Sequence, residues 1–324
     1  MCTAVAYRTK DHYFGRNLDL EYSYCETIAI TPRFLPFAFR KMGRMDRHYA
    51  MIGMAYVQDE YPLYYEATNE KGLSMAGLNF PGNADYQPEC DGKDNVAPFE
   101  FIPWVLGQCS DLVQARGLLE RINLVNISYS RELPLSPLHW LISDRSGSIT
   151  VECVKEGLKV YDNPVEVLTN NPPFDYQLMN LNNYMQLSAE PPQNRFSAAL
   201  KLQRYSLGMG AIGLPGDLSS ASRFVRAAFT RMNAVAGESE AESVSQFFHI
   251  LSSVEQPRGC SMVRPGEYEI TRYSSCCNTD QGIYYYRTYE NSQITAVHMH
   301  REDLESDCVI AYPLLTGQQI FSQN

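Results

Sequence analysis

Cys2–Tyr7 alternates Cys2, Ala4 and Ala6 on one face with Thr3, Val5 and Tyr7 on the other, the period of a β-strand. The same period, or a short apolar run bounded by turn residues, predicts strands over Tyr13–Arg16, Thr27–Thr31, Tyr49–Val57, Leu63–Thr68 and Leu73–Leu78, with Pro32 closing the second of these. Helical spacing takes over at Pro98–Cys109 and Asp111–Leu124. In the latter, Leu112, Ala115, Leu119 and Ile122 share a face and Ser110 is placed to cap. Strand patterns return at Leu138–Ser143, Ser148–Val154, Leu158–Tyr161 and Glu166–Thr169. Two amphipathic helices follow. Ala221–Val235 carries Phe224, Val225, Ala228, Phe229 and Met232 on one face. Glu240–Val254 carries Val244, Phe247, Phe248 and Leu251, with Ser239 and Glu242 spaced as a capping box. Tyr268–Ser274, Gly282–Tyr289 and Ile294–Met299 close the pattern as strands. Strands, then helices, then strands predict layered α+β rather than a parallel βαβ fold. No repeat or linker divides the 324 residues, so one domain is expected over 1–324, and Pro191–Asn194 reads as a loop.

Composition narrows the function classes. With 44% hydrophobic residues, 22 Tyr and 14 Phe, the chain has the material for a large core, which excludes disorder. A net charge of −10 argues against a nucleic-acid partner, because phosphate neutralisation needs a Lys/Arg excess. The nine cysteines form no CxxC pair, no apolar run reaches membrane length, and the N-terminus lacks the charged and apolar regions of a signal peptide. The expectation is a reduced, cytoplasmic protein.

Four local signals carry less than they promise. Gly208–Gly213 spells GxGxxG, but Leu214-Pro215-Gly216-Asp217 makes a turn where a nucleotide-binding helix would begin. His298 and His300 share a face of the expected last strand without a third ligand at metal spacing, so no metal and no cofactor are expected. Cys276-Cys277 reads as two small buried residues, and Asn126-Ile127-Ser128 is a glycosylation pattern without the compartment to use it. No GxSxG elbow is present.

Cys2 is the residue with chemistry. Removal of Met1, expected before so small a side chain, would place a thiol and a free α-amine on one residue. The amine's ordinary pKa of about 7.7–8.0 suits it to act as base to its own thiol. A hairpin turning at Thr9–Asp11 would return Arg16 and Asp19, at and just beyond the end of the second strand, to the side of Cys2. There a carboxylate would hold the amine and a guanidinium would favour the thiolate. Surface charge accounts for either residue equally well on spacing alone.

From about Cys2 to Tyr312 the chain resembles the choloylglycine hydrolases, the bile salt hydrolases and penicillin V acylases of the N-terminal nucleophile superfamily. The resemblance rests on Cys2-Thr3, FGRNLDLEYS at 14–23, NEKGLSMAGLNFPG at 69–82, LHWLISD at 138–144, LTNNPPFDY at 168–176, GLPGDLSSASRFVRAAF at 213–229 and GIYYYRTYEN at 282–291. It implies a four-layer αββα sandwich with two antiparallel sheets between helix layers. It also implies Cys2 as nucleophile, Arg16 beside the thiol, Asp19 at the amine, Asn79 and a side-chain amide from Asn170 at the oxyanion, and Arg223 as the last active-site arginine.

Within that family, Asn79 stands where bile salt hydrolases carry Asn and penicillin V acylases often carry Tyr. The resemblance therefore implies hydrolysis of glycine- or taurine-conjugated bile salts through a thioester, with penicillin V or acyl-homoserine lactones as alternative substrates. A non-catalytic steroid-binding protein is the reading from another class, and transfer of the acyl group to a second amine is open to any thioester. The aligned pocket positions are Leu18, Tyr24, Gln58, Tyr65, Tyr129, Leu133 and Leu138, beneath a loop at Ile127–Pro137. Leu18 replaces a common Met, and Asn171 a common Ser. Arg16 and Arg223 are expected to supply the positive charge for an anionic substrate, and family members are commonly homotetramers.

Overall fold

The computed structural model describes residues 1–324. Strand β1 (Cys2–Arg8) turns at Thr9–Asp11 and pairs antiparallel with β2 (His12–Leu20), in a register that sets Cys2 opposite Leu18 and Ala4 opposite Arg16. The second strand outruns its predicted end at Arg16, so Asp19 lies within the sheet. The hairpin is the middle of a six-stranded antiparallel sheet. Val167–Leu168 flanks β1, and Ile270–Asn278, Ile283–Thr288 and Asn291–His298 extend from β2. A second, eight-stranded antiparallel sheet runs Gly157–Asp162, Gly147–Val154, Leu138–Asp144, Ser74–Asn79, Tyr61–Asn69, Met51–Gln58, Thr27–Thr31, Ile310–Pro313.

Alternation along β1 decides what each face meets. Cys2 and Ala4 share their face with Leu18 and Arg16, and the Arg16 guanidinium reaches the Tyr65 and Gly77 carbonyls of the other sheet. Thr3 and Tyr7 face the opposite way, toward a helix layer, and bond Arg223 and Ala234 there. Helices α1 (Phe101–Gln108) and α2 (Leu112–Leu119) cover the eight-stranded sheet, packing Phe101, Val105 and Ala115 with Met75, Trp140 and Ile142. A shorter helix, α3 (Phe174–Asn180), packs Phe174 on Phe224. Helices α4 (Ser220–Asn233) and α5 (Glu240–Ser252) cover the six-stranded sheet through Phe224, Phe247 and Leu251. This is the expected αββα sandwich. Gly15 in β2 shows how tightly the sheet is drawn, since a Cβ there would fall 2.0 Å from the Ser275 carbonyl oxygen of the neighbouring strand.

Several elements differ from the sequence reading. The helix expected to run to Leu124 stops at Leu119, and Ile122–Leu124 pairs with Asp94–Val96 instead, a parallel contact that local periodicity cannot show. Its cap is Asp111, whose side chain accepts from the Gln114 N–H, not Ser110. Met232 is 60% exposed, which narrows the buried stripe of α4. His298 ends a strand while His300 lies in the following 3₁₀ turn, so the two do not share a strand face. No group of three His, Cys, Asp or Glu side chains is arranged to hold a metal ion. Gly208–Gly213 forms a 3₁₀ turn with no strand before it. No helix is long and apolar enough to cross a membrane. All nine cysteines are free, with Cys276 and Cys277 buried side by side in Ile270–Asn278.

Candidate active site

Cys2 is buried, 3% exposed, at the first position of β1. Its backbone N–H donates to Asn170 Oδ1 at 2.8 Å. Met1 continues the hairpin by one rung: its carbonyl accepts from the Asp19 N–H at 2.8 Å and its ammonium donates to the Asp19 carbonyl at 2.6 Å and to the Glu269 carboxylate. Burial pulls this ammonium below its ordinary pKa, an effect opposed by Cys2 and Asp19.

Two arginines flank the residue and do different work. Arg16 is fully buried. Its Nη1 donates to the Gly77 carbonyl at 2.6 Å and the Tyr65 carbonyl at 3.1 Å, while Nε and Nη2 have no partner. Those two orphan donors and their charge are available to the Cys2 sulfur and to whatever enters beside it. Arg223, one turn into α4 and equally buried, is spent on structure. It donates to the Cys2 carbonyl and Thr3 Oγ1, both at 2.6 Å, to Asn170 Oδ1 at 2.9 Å and to the Leu218 carbonyl at 3.1 Å. Arg223 thus places four of its five N–H groups on β1, Asn170 and the loop before α4, whereas the Nε and Nη2 of Arg16 are without partners.

Asp19 lies 3.9 Å from Arg223 Nη1 and accepts from the Thr271 hydroxyl at 2.7 Å; its Oδ2 is buried without a partner. Burial raises its carboxyl pKa, against the pull of Arg223 and of the N-terminal ammonium.

Asn170 is a junction. Its Oδ1 takes the Cys2 and Arg223 donors, and its Nδ2 donates to the Asn79 carbonyl at 2.7 Å. The side-chain amide assigned to the oxyanion thus already uses one N–H to tie the two asparagine positions together, leaving one for a substrate. Asn79 ends its strand exposed, opposite Leu138. His139, outside the sequence reading, and Asn171 fix this pair. His139 stacks on Phe80 at 4.2 Å, accepts or donates at Glu152 and bonds the Thr169 carbonyl at 2.9 Å, so one ring buttresses the neighbours of both asparagines. Asn171 donates to the Pro81 carbonyl at 2.7 Å, a second tie between the same segments. A histidine at a core-facing strand position was the available signal for His139.

The aligned pocket residues spread around this centre. Leu18 is buried opposite Cys2, and Tyr65 is half-buried with its phenol in the field of Glu26, Tyr24 and Arg16. Tyr24 is exposed in the loop after β2. Gln58 ends its strand and accepts at its carbonyl from the Tyr129 hydroxyl at 3.2 Å. Arg40 pins that loop, donating to the Tyr129 carbonyl at 2.9 Å with its guanidinium 5.7 Å from the ring. Leu133 is half-buried in the same loop, and Leu138 packs toward Trp140 and the helix-side core, away from Cys2. Two surface cavities, of about 610 Å³ beside Tyr7–Lys10 and about 370 Å³ beside Phe174, contain none of these residues.

The αββα sandwich, with a buried thiol at the head of its first strand, a carboxylate beside the N-terminal nitrogen and two asparagines tied to each other, is the fold of the N-terminal nucleophile hydrolases. Residues 2–312 match the sequence profile of the linear amide C–N hydrolases of the choloylglycine hydrolase family. The chain belongs to that family. It is 57% identical to a bile salt hydrolase/transferase of Lactiplantibacillus plantarum over the whole of both chains. Among solved structures, it superposes on a mutant of the conjugated bile acid hydrolase of Clostridium perfringens with a TM-score of 0.92 at 38% identity, covering all of both chains. Penicillin V acylase from Agrobacterium tumefaciens shares the fold, with a TM-score of 0.75 at 21% identity over 97% of this chain and 92% of that one.

Proposed function

We propose that this linear amide hydrolase cleaves glycine- and taurine-conjugated bile salts, with Cys2 as nucleophile once Met1 is removed. The observation that carries the reading is the convergence on Cys2 of Arg16, Asp19, Asn170 and Arg223, together with full-length likeness to proteins named for this substrate. While Met1 is attached, the Cys2 nitrogen is a peptide nitrogen whose lone pair is delocalised into the Met1 carbonyl and takes no proton. Removal creates an amine at the buried head of β1, beside Asn170 Oδ1, where desolvation favours the free base. Asp19 Oδ2, unpartnered and close by, holds and orients that amine.

The amine takes the thiol proton, Arg16 stabilises the thiolate, and sulfur attacks the amide carbonyl. Charge that develops on the oxygen is met by the free N–H of Asn170 and by Asn79, which Asn170 fixes in place. The Cys2 ammonium then protonates the departing glycine or taurine nitrogen. Water, activated by the same amine, releases the bile acid from the thioester. Leu18, Tyr24, Gln58, Tyr65, Tyr129 and Leu133 would border the steroid, and the free donors of Arg16 supply its positive charge. Leu138 serves at most the rim, given where it points.

Asn79 at the first oxyanion position favours bile salts over penicillin V within the family. Rates on glycocholate, taurocholate, penicillin V and an acyl-homoserine lactone, measured side by side, test the choice; faster cleavage of either of the last two overturns it. Binding of glycocholate without turnover would identify a steroid-binding protein instead. The unbroken sequence pattern supports one domain over 1–324, the unpaired cysteines a cytoplasmic site, and the family resemblance a homotetramer, the last checked by light scattering.

A further inference from the structure

The nucleophile reading does not use Glu66, although it is among the most unusual residues in the core. It is 2% exposed, at the middle of Tyr61–Asn69, and faces the six-stranded sheet. Three hydroxyls converge on its carboxylate: Tyr273 donates to Oε2 at 2.7 Å, and Tyr284 and Ser275 donate to Oε1 at 2.5 and 2.9 Å. Arg16 Nη1 stands 3.8 Å from Oε2. Three hydroxyl donors and a guanidinium 3.8 Å away are surroundings that stabilise an ionised carboxylate. Burial raises the carboxyl pKa above its ordinary value, against the pull of Arg16 and of the three hydroxyls that favour the ionised form.

Arg16 therefore faces the Glu66 carboxylate and also interacts with the Cys2 side chain. Its Nη1 is held independently by the Gly77 and Tyr65 carbonyls, so its place does not depend on Glu66 alone. We propose that Glu66 is a positioning residue for the amide hydrolysis, a buried counter-charge that partly neutralises Arg16 and thereby limits how far the guanidinium favours the Cys2 thiolate. The proposal rests on Cys2 being the nucleophile. The other charged groups facing Cys2 are Asp19, Arg223 and its own amine. Those facing Glu66 are Arg16, Tyr273, Tyr284 and, through Tyr284, Cys277.

The sign is specific. Replacing the carboxylate by an amide leaves Arg16 anchored and uncompensated, and its attraction for the thiolate grows. In the full-length, Met1-free protein, alkylation of Cys2 by iodoacetamide, followed across pH by the mass of the Cys2 peptide, should show a lower midpoint in Glu66→Gln. The shift should be about one pH unit, the scale of one charge at this range. The acid limb of kcat should move the same way. Tyr284→Phe, which leaves the carboxylate one donor short and so less ionised, should shift the midpoint in the same direction by less. That variant carries the test if Glu66→Gln does not fold. A folded variant that loses activity or stability with the midpoint unmoved, or with the midpoint raised, overturns the proposal. The alkylation readout needs no substrate, so it still reports on Glu66 if bile salts prove to be the wrong substrate; failure of wild-type turnover alone would instead condemn the function.

Discussion

At the scale of single residues the site is a set of shared atoms. Asn170 Oδ1 receives the Cys2 and Arg223 donors while Nδ2 holds Asn79, so one side chain spans the nucleophile, its helix anchor and the oxyanion position. Asn170→Ala should lower kcat by about 10²–10³, the usual cost of a lost oxyanion donor. It should also lower stability, because the buried Cys2 N–H and one Arg223 nitrogen lose their acceptor; steady-state kinetics and urea unfolding together check both effects. Arg223→Met should act differently. It leaves Asp19 buried near no cation but Arg16 and the N-terminal amine, at a cost of about 3–5 kcal/mol in unfolding free energy. The motif alone placed Arg223 at the site; only the geometry shows that it grips β1 rather than the substrate. Glu66 was visible as a carboxylate in an apolar strand, but nothing local linked it to Arg16, 50 residues earlier.

At the scale of elements, the β1–β2 hairpin is the part that must be in register. Gly15 sits beside Arg16 and within 2.0 Å of a neighbouring carbonyl for any added Cβ. Gly15→Ala should destabilise by about 1–3 kcal/mol and reduce activity with it, since the strand can yield only by moving Arg16; differential unfolding and rate assays decide. His12, in the same strand, joins the sheets through Nε2 to Ser143 Oγ at 3.2 Å and Nδ1 to Thr279 Oγ1 at 3.0 Å. Burial, with Arg8 adding to it, drops its pKa from 6.5 to about 4. The unfolded chain binds the proton more readily. Stability associated with neutral His12 is thus present above about pH 6.5 and lost as pH falls through about 4, by roughly 3 kcal/mol. Urea unfolding of wild type and His12→Gln at pH 7 and pH 4.5 should show a smaller pH drop in the variant; equal drops would contradict this. The hairpin, the two amphipathic helices and the Ser239–Glu242 capping box were legible because each is encoded within a few turns of sequence. Ile122–Leu124 and Ile310–Pro313 were not. Each is a short segment made a strand by a partner elsewhere in the chain, and the second carries a proline that only an edge strand tolerates.

At the scale of the whole molecule, the succession of strands, then helices, then strands announced a layered α+β protein, while pairing order lay beyond it. The eight-stranded sheet joins Thr27–Thr31 to Ile310–Pro313, and the six-stranded sheet joins β2 to Ile270–Asn278, contacts set by long-range packing. The site lies where those distant segments meet: Cys2, Arg16, Asn170, Arg223 and Thr271 come from five elements or loops across most of the chain. Family likeness identified most of these residues before geometry could, but not the ties among them. The central claim is that the amine of Cys2 itself is the working base. It is tested by preparing the protein in two forms, verified by intact mass, with Met1 retained and with Met1 removed, and measuring glycocholate hydrolysis by each. The account predicts turnover only by the form lacking Met1 and none above background by the other. Equal turnover by the Met1-retaining form would contradict it.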